Sequence, residues 1–363
     1  MQLSIITPTF NESLNVSEFI SSIEKTLKIK DYEIIFVDDN SNDQTYAVVK
    51  NIAQSKNYIR CIRRIGRRGL SSAVIEGCLS SAAKYLLVID SDLQHDEKKI
   101  PSMLKLLKEK KLDLVVGSRF LNNKKTKGLS KLRNLLSRFA NYLANKISYA
   151  ELTDPMSGFF LIRRSAFDSL APKLSGLGFK ILLDIFSSAK GNIKFKEIPF
   201  DFKKRLHGES KLDSLVIWEY LLLLWQCKFG KIIPAKFISF CLIGGSGVIV
   251  HLIILYLLIK NDTRFLHAQA FATIVAMTTN FFLNNILTYR DNRKKGLDAI
   301  KSLIIFYFTC GIGAIANIGV ANMLFVSNVS GLSGIWYISG IIGALVGSIW
   351  NFLMSTLITW RVK

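Results

Sequence analysis

Residues 85–95 read YLLVIDSDLQH, an apolar run that ends in Asp90 and Asp92. Such a short run bounded by polar residues is typical of a strand buried on both faces. In an extended segment the side chains at i, i+2 and i+4 point the same way, so we expect Asp90, Asp92 and Gln94 to converge. Hard oxygen ligands suit Mg²⁺ or Mn²⁺ held jointly with a diphosphate. Taken alone, this short motif is also compatible with an ordinary acidic turn.

The same arrangement occurs twice upstream, where apolar runs at 3–7 and 33–37 precede polar clusters at 8–12 and 38–41. Further strands are predicted at 58–62 and 112–116, and helices at about 16–27, 44–54, 70–83 and 98–109. Alternating strands and helices predict an α/β domain with a doubly wound, mostly parallel sheet. Ligands of such sheets bind beyond the carboxyl ends of the strands, where the three polar clusters fall.

Several side chains in and after these clusters have chemistry suited to a phosphorylated ligand. Glu12, Asp38 and Asp39 can accept hydrogen bonds from a base or a ribose, although capping of the following helix is an alternative and is favoured for Asp43. Arginine forks suit phosphate oxygens, and Arg133 and Ser137 share a helix face at i, i+4. The candidate phosphate-binding residues are Arg119, Arg133, Ser137, Arg205 and Lys211. Each arginine is equally compatible with simple solvation.

The sequence argues against several other functional classes. No GxGxxG follows the first predicted strand and no GxxxxGK[ST] occurs, which argues against a dinucleotide-binding fold and a P-loop NTPase. A nucleophile elbow for a Ser-His-Asp hydrolase is also missing. Five cysteines without a CxxC pair predict neither a disulfide scaffold nor a zinc site.

The last third of the chain contains long stretches without Asp, Glu, Lys or Arg, at 237–259, 265–289 and 302–360. A bilayer crossing needs about 20 apolar residues, so four spans are predicted, at about 236–259, 265–288, 302–326 and 335–359. The 289–301 loop and the C-terminal tail are basic, which predicts that both termini are cytoplasmic. Met1–Phe10 lacks a cationic region, so no signal peptide is expected.

The net charge is +21, from 48 Lys+Arg against 27 Asp+Glu. Residues 235–363 hold ten basic and three acidic residues, net +7, which leaves +14 for residues 1–234. A basic chain can bind nucleic acid or an anionic membrane. Because the apolar stretches require a bilayer, the charge is assigned to the cytoplasmic membrane face and to phosphate binding, and no nucleic-acid partner is expected.

Six motifs occur in the order of a known family: residues 8–12 (PTFNE), 37–45 (VDDNSNDQT), 90–95 (DSDLQH), 154–160 (DPMSGFF), 178–180 (GFK) and 205–211 (RLHGESK). Together they resemble the polyprenyl-phosphate glycosyltransferases of family 2, the group that includes dolichol-phosphate mannosyltransferases. The membrane part resembles a GtrA-like domain, through Phe240-x-x-x-Gly244-Gly245 and Asn280-Phe281-x-Leu283-Asn284.

This resemblance implies a GT-A fold and inverting transfer of a hexose, with GDP-mannose the expected donor, to polyprenyl or dolichyl phosphate. It places Mg²⁺ or Mn²⁺ on Asp90, Asp92 and Gln94. The implied nucleotide-sugar residues are Pro8, Phe10, Glu12, Val37, Asp39, Asp90 and Gln94, and the implied catalytic residues are Asp92, Arg119, Arg133, Ser137, Arg205 and Lys211. Phe10 is a departure, since tyrosine is usual there. The QxxRW signature of processive synthases is missing, which argues against polymerisation.

Two alternatives remain at this point: transfer from UDP-glucose or another UDP-sugar to undecaprenyl phosphate, and a membrane domain that translocates the glycolipid. In the second, intramembrane polar residues would line a path, although hydrogen bonding between helices explains them more simply. The predicted division is a glycosyltransferase domain at 1–212, an amphipathic interfacial helix or linker at 213–234 and a four-helix membrane domain at 235–363. A core helix is the alternative for 213–234. The sequence does not indicate an oligomeric state.

Overall fold

A computed structural model describes residues 1–121, 131–203, 214–326 and 336–361 of the chain. It divides into two compact units, Met1–Ile232 and Ile233–Lys363. The first is an α/β unit and the second is helical, as the sequence predicts.

The described strands of the α/β unit are β1 (Leu3–Thr9), β2 (Tyr32–Asp38), β3 (Ile59–Arg63), β4 (Tyr85–Val88), β5 (Leu114–Ser118), β6 (Phe160–Arg163) and β7 (Phe195–Pro199). Its helices are α1 (Ser13–Thr26), α2 (Thr45–Ala53), α3 (Leu70–Leu79), α4 (Ile100–Glu109), α5 (Lys131–Ser148), α6 (Arg164–Leu170), α7 (Ile181–Ala189) and α8 (Ser214–Phe229). The predicted alternation of strands and helices is confirmed, with boundaries shifted by a few residues.

The seven strands form one sheet in the order β3-β2-β1-β4-β6-β5-β7. All neighbouring strands are parallel except where β6 runs antiparallel to β4 and β5. Successive side chains point to opposite faces, so Ile5 packs in one core and Ile6 in the other. Both faces are covered, which explains why the strands are continuous apolar runs.

Helix α8 packs against the α/β unit through one face. Tyr220, Leu223 and Leu224 are buried in a small core with residues of α5 and α7, and Tyr220 Oη donates to the Ala140 carbonyl at 2.5 Å. Ile217 is 54% exposed and Leu221 49% exposed. The helix therefore combines a packed face with an exposed apolar face.

The helical unit contains α9 (Ala235–Lys260), α10 (Phe265–Leu283), α11 (Gly296–Val326) and α12 (Trp336–Met354). Helices α10 and α12 each continue into a π-helical turn, at Asn284–Thr288 and Ser355–Thr359. Within the described ranges, three helices are long and apolar enough to cross a membrane: Ala235–Lys260, Ala270–Thr288 and Gly296–Ala316. The fourth predicted span, 335–359, coincides with α12 and its π-helical turn and stays a prediction.

Candidate active site

The sheet order brings the three polar clusters to one edge. Strands β2, β1 and β4 are consecutive neighbours, and Thr9 at the end of β1 pairs with Asp38 at the end of β2. The Ile89 N–H donates to the Ile6 carbonyl at 3.2 Å, which continues the β1–β4 register beyond β4. Residues 8–12, 38–41 and 90–95 therefore lie side by side at the carboxyl ends of parallel strands, as expected.

The segment after β4 is bent. Ser91 and Asp92 form a turn, and Leu93 has a φ of 61°, in the left-handed region. The sequence-based expectation that Asp90, Asp92 and Gln94 converge through extended alternation is therefore wrong in its geometry. The Gln94 N–H instead donates to Asp92 Oδ1 at 3.1 Å, which folds the segment back on itself.

Gln94 forms two hydrogen bonds with Lys203, in the segment that follows β7. Its Nε2 donates to the Lys203 carbonyl at 3.1 Å, and the Lys203 N–H donates to the Gln94 carbonyl at 2.9 Å. The structure thus gives Gln94 a positioning contact, and its assignment as a metal ligand stays a prediction.

The donor set around Asp90 and Asp92 fits a hard divalent cation that is shared with a substrate. The Asp90 side chain is 34% exposed, whereas Asp92 is buried. No cluster of three or more His, Cys, Asp or Glu ligands occurs in the described ranges. Mg²⁺ is commonly bound by one or two carboxylates together with substrate phosphates and water, and two neighbouring carboxylates are the donor set that this mode requires.

His95 forms part of the wall beside Asp90. Its Nδ1 lies 4.0 Å from Asp90 Oδ2, and its ring stacks on Phe159 with 5.4 Å between ring centroids. Phe200 and Phe202 also contact the ring. Burial lowers the pKa of His95 to about 4, against an opposing effect of Asp92, so the imidazole is neutral at pH 7.

Four of the predicted nucleotide residues lie at the ends of β1 and β2. Phe10 lies beneath Arg68, whose guanidinium carbon is 4.5 Å from the ring centroid. Glu12 Oε2 accepts from Asn15 Nδ2 at 2.6 Å, at the start of α1. Pro8 is partly exposed in β1, whereas Val37 is fully buried in the core between the sheet and α3. The Val37 side chain therefore serves packing.

Asp39 is held by a buried arginine that the sequence did not single out. Asp39 Oδ1 accepts from Arg64 Nη1 at 2.7 Å, and Oδ2 accepts from the Gly69 N–H at 2.7 Å. Arg64 also donates to Ser72 Oγ at 2.6 Å, and its side chain is 1% exposed. Burial raises the pKa of Asp39, and the bonds from Gly69 and Arg64 oppose this effect. Asp39 thus orders the 64–69 loop beside the candidate nucleotide pocket.

The structure confirms Asp43 as a helix cap. Its Oδ2 accepts from the Ser13 N–H at 2.9 Å at the start of α1, and its Oδ1 accepts from the Thr45 N–H at 3.1 Å at the start of α2. Burial works toward a higher pKa of Asp43, but the hydrogen bonds from Thr45 and Ser13 outweigh it and lower the pKa.

Arg119, at the end of β5, pairs with a buried carboxylate. Its Nε and Nη2 donate to Asp154 Oδ2 and Oδ1, both at 2.7 Å, and Asp154 is fully buried. Burial disfavours the charged guanidinium, but the Asp154 carboxylate outweighs this and raises the pKa of Arg119. Much of the charge that the sequence assigned to a substrate phosphate is therefore balanced within the protein.

The segment 154–158 links three groups of the site through alternate residues. Asp154 pairs with Arg119, the Met156 carbonyl accepts from Lys180 Nζ at 3.2 Å, and Gly158 lies against Asp90. A Cβ at Gly158 would lie 3.0 Å from Asp90 Oδ2, which is tighter than ordinary contact. Glycine therefore allows the segment to approach the carboxylate closely.

The remaining predicted phosphate ligands are located in part. Arg133 and Ser137 lie one turn apart on α5, as predicted, and the structure describes their backbone. Arg205 and Lys211 lie outside the described residues.

The chain matches two family models, Glycosyl transferase family 2 over residues 4–171 and GtrA/DPMS, transmembrane domain over residues 239–360. A solved structure of glucosyl-3-phosphoglycerate synthase from Mycobacterium tuberculosis aligns with 61% of this chain and 79% of that chain, at 18% identity and a TM-score of 0.47. A dolichol-phosphate mannosyltransferase of Mycosarcoma maydis is 34% identical over 252 residues, covering 66% of this chain and 84% of that protein.

A dolichol-phosphate mannosyltransferase of Pyrococcus furiosus is 32% identical over 369 residues. The match covers 99% of this chain and 99% of that protein, so it includes both units. The chain therefore belongs to the dolichol-phosphate mannosyltransferase family and is a membrane glycosyltransferase with a family 2 catalytic domain and a GtrA/DPMS transmembrane domain.

Proposed function

We propose that the protein transfers mannose from GDP-mannose to dolichyl phosphate, with inversion at the anomeric carbon and with Mg²⁺ or Mn²⁺. The observation that carries the proposal is the match over nearly the whole of both chains to a relative named dolichol-phosphate mannosyltransferase. Both the catalytic unit and the membrane unit are included in that match. A membrane unit is expected in an enzyme whose acceptor is a lipid phosphate, because such an acceptor lies in the bilayer.

The chemistry at the ends of β1, β2 and β4 supports a nucleotide diphosphate donor. Asp90 and Asp92, with Gln94 as the predicted third ligand, would hold the cation, which supplies positive charge to the departing diphosphate. Phe10 and Arg68 form a stacked wall at the end of β1, beside the ordered 64–69 loop. An aromatic ring and a guanidinium plane both suit the face of a nucleobase.

The mechanism requires positioning and charge rather than a general base. A lipid phosphate is already an anion at pH 7, so it can attack the sugar without losing a proton. His95 agrees with this, because burial lowers its pKa to about 4 and makes its imidazole a weak proton acceptor. Arg119, Arg133, Ser137, Arg205 and Lys211 remain the proposed groups that orient the two phosphorylated substrates and reduce their mutual repulsion.

The lipid acceptor requires the site to face the membrane surface. We propose four spans with both termini on the cytoplasmic side, consistent with the basic 289–301 loop. The exposed apolar face of α8 supports the proposed interfacial role of residues 213–234, because such a face binds at the headgroup boundary.

A substrate panel tests the proposed function. The full chain in lipid nanodiscs is assayed with radiolabelled GDP-mannose, UDP-glucose and other UDP-sugars against dolichyl and undecaprenyl phosphate. We expect GDP-mannose with dolichyl phosphate to give the highest kcat/KM, and chelation of divalent cations to abolish product formation. Asp92→Asn is expected to lower turnover by about a hundredfold or more, because it removes one metal-binding carboxylate. Preferential transfer from a UDP-sugar, or full activity in chelator, would contradict the proposal.

A further inference from the structure

Lys180 is a charged group of the site that forms no ion pair with any of the residues that the structure describes. It directly precedes α7, after a turn in which Gly176 and Gly178 adopt φ values of 65° and 68°. Its Nζ donates to the Met156 carbonyl at 3.2 Å and lies 4.9 Å from the centroid of the Phe179 ring. Neither partner carries a negative charge.

Arg119, the other cation beside this segment, has a carboxylate as its partner. Arg119 forms two short bonds to the buried Asp154 carboxylate, two residues before Met156 in the same segment. Lys180 lies in the same electrostatic environment, since Arg119, Asp154 and Asp90 all influence its ionisation. Burial, followed by repulsion from Arg119, lowers the pKa of Lys180 to about 8, whereas Asp154 and Asp90 act in the opposite direction. Among the described residues, the half-buried ammonium group therefore has a carbonyl and an aromatic ring as its partners and no carboxylate.

An arriving anion would supply Lys180 with a negatively charged partner. The ammonium group has three donors, and one is used by the Met156 carbonyl. We propose that Lys180 binds a phosphate oxygen of a substrate, and that segment 154–158 positions it for this through the hydrogen bond from its Nζ to the Met156 carbonyl. This role rests on the proposed function, in which both the donor diphosphate and the acceptor carry such oxygens.

Substitution of Lys180 in the full chain tests the proposal and identifies the phosphate. Lys180→Met keeps the length of the side chain and removes its charge, and Lys180→Arg keeps the charge. The exposed Lys173, at the other end of the loop before α7, provides the matched control Lys173→Met. Binding of magnesium pyrophosphate, GDP and UDP is measured by calorimetry, together with KM for each substrate, kcat and the thermal unfolding midpoint.

We expect Lys180→Met to weaken one phosphate interaction by about tenfold or more, because a charge-assisted hydrogen bond is lost. A weaker Kd for GDP and magnesium pyrophosphate assigns Lys180 to the donor diphosphate. An unchanged Kd for these ligands with a higher KM for dolichyl phosphate assigns it to the acceptor. Lys180→Arg should recover much of the loss, and Lys173→Met should behave as the wild type.

The role is overturned if Lys180→Met leaves the ligand Kd values and both KM values unchanged, or if it lowers kcat only in step with the unfolding midpoint. Failure of the proposed function is distinguishable, since the wild-type chain would then make no mannosyl lipid. The pyrophosphate measurement still tests Lys180 in that case, because it depends on neither the sugar nor the base.

A second, independent observation concerns the membrane unit. Residues 280–290 read NFFLNNILTYR and residues 351–361 read NFLMSTLITWR, with Asn, Phe, Thr and Arg at matching places. Upstream, FCLIGGSG at 240–247 matches FYFTCGIG at 306–313 in its phenylalanine and in two glycines. The two π-helical turns also begin and end at matching residues.

The contacts between the hairpins α9–α10 and α11–α12 are reciprocal. Phe240 of α9 packs on Phe352 of α12 with 5.8 Å between ring centroids, and the matching pair, Phe306 of α11 and Phe281 of α10, are 5.7 Å apart. A twofold axis produces such a pattern, in which residue i contacts j and the equivalent of j contacts the equivalent of i.

The same reciprocity holds at the ends of α10 and α12. Tyr289 Oη is 2.8 Å from Thr356 Oγ1, and Trp360 Nε1 donates to Asn285 Oδ1 at 3.0 Å. Position 285 matches 356, and 289 matches 360. The Tyr289 and Trp360 rings themselves stack, with centroids 4.2 Å apart and planes 4° from parallel. Two equivalent residues can contact each other directly only where they lie next to the symmetry axis, as Tyr289 and Trp360 do.

Within each hairpin, an asparagine lies against a matching glycine. A Cβ on Gly247 would collide with the side-chain amide of Asn280, and one on Gly313 would collide with that of Asn351. The neighbouring matched pair, Gly245 and Gly311, has open space instead. We infer that the membrane unit consists of two copies of one helical hairpin, paired about a twofold axis that passes through the Tyr289–Trp360 stack.

Alanine substitution at the four matched glycines of the full chain tests this inference. We expect Gly247→Ala and Gly313→Ala to lower the thermal unfolding midpoint in detergent by similar amounts, because each displaces an asparagine. Gly245→Ala and Gly311→Ala should leave the midpoint unchanged. Unequal effects within either matched pair would overturn the equivalence. If the alanine variants at 247 and 313 do not fold, Phe240→Leu and Phe306→Leu provide the same comparison across the hairpin interface.

Discussion

At the level of single residues, Arg64 shows how one buried charge orders the loop at 64–69. Its guanidinium joins Asp39 at the end of β2, the Gly69 carbonyl and Ser72 of α3. The sequence places this arginine in the stretch RCIRRIGRRG at 60–69, in which five arginines look alike. Only the sheet register and the path of the loop determine which of them is buried, so Arg64 could not be identified from the pattern.

We expect Arg64→Met to lower the free energy of unfolding by about 3–5 kcal/mol, because it leaves the Asp39 carboxylate buried without its partner. The matched control is Arg67→Met. Arg67 is 53% exposed and pairs with Glu76 near solvent, so its loss should cost less than about 1 kcal/mol. Urea unfolding of the full chain in detergent provides the measurement. An equal loss of unfolding free energy in the two variants would show that the buried Arg64–Asp39 pair stabilises the protein no more than the exposed Arg67–Glu76 pair does.

At the level of secondary structure elements, α8 has a packed face and an exposed apolar face, and its interfacial role stays a prediction. The sequence favoured an interfacial helix over 213–234, with a core helix as the alternative. In the structure one face packs on α5 and α7, whereas Ile217 and Leu221 on another face are exposed. The segment after β4 differs from its prediction. The sequence argument assumed an extended chain with side chains that alternate between two sides, and the positive φ of Leu93 interrupts that extended conformation.

Replacing Ile217 and Leu221 of α8 by serine should raise KM for dolichyl phosphate in liposomes several-fold, because about 1–2 kcal/mol of apolar insertion per side chain is lost. Turnover with a short, water-soluble prenyl phosphate should stay unchanged. Leu79→Ser on α3, where Leu79 is 57% exposed, controls for the general effect of a polar surface change. A matching loss with both acceptors would show that the α8 substitutions act on folding rather than on membrane contact.

At the level of the whole molecule, periodicity and charge predicted the division into an α/β unit and a helical membrane unit, together with the edge of the sheet that carries the site. These properties follow from apolar periodicity and from the spacing of charged residues, and both can be read within a single short segment of the sequence. The Arg119–Asp154 pair, the aromatic wall of His95 and the placement of Lys180 depend on residues 24 or more positions apart. Asn280 and Asn351 lie against glycines of the neighbouring helix, and hydrogen bonding between helices, the simpler explanation that the sequence offered for these residues, stays a prediction.

The stretch from Asp154 to Gly158 has a consequence for how this enzyme can change over time. Asp154 and Met156 of this five-residue stretch bond to the Arg119 guanidinium and the Lys180 ammonium, and Gly158 of the same stretch lies against the Asp90 carboxylate. Any drift of that stretch displaces all three together, so their effects are coupled rather than additive. The Phe10–Arg68 wall, which we propose to contact the nucleobase, does not share this support, so we expect substitutions there to change donor preference without moving these groups.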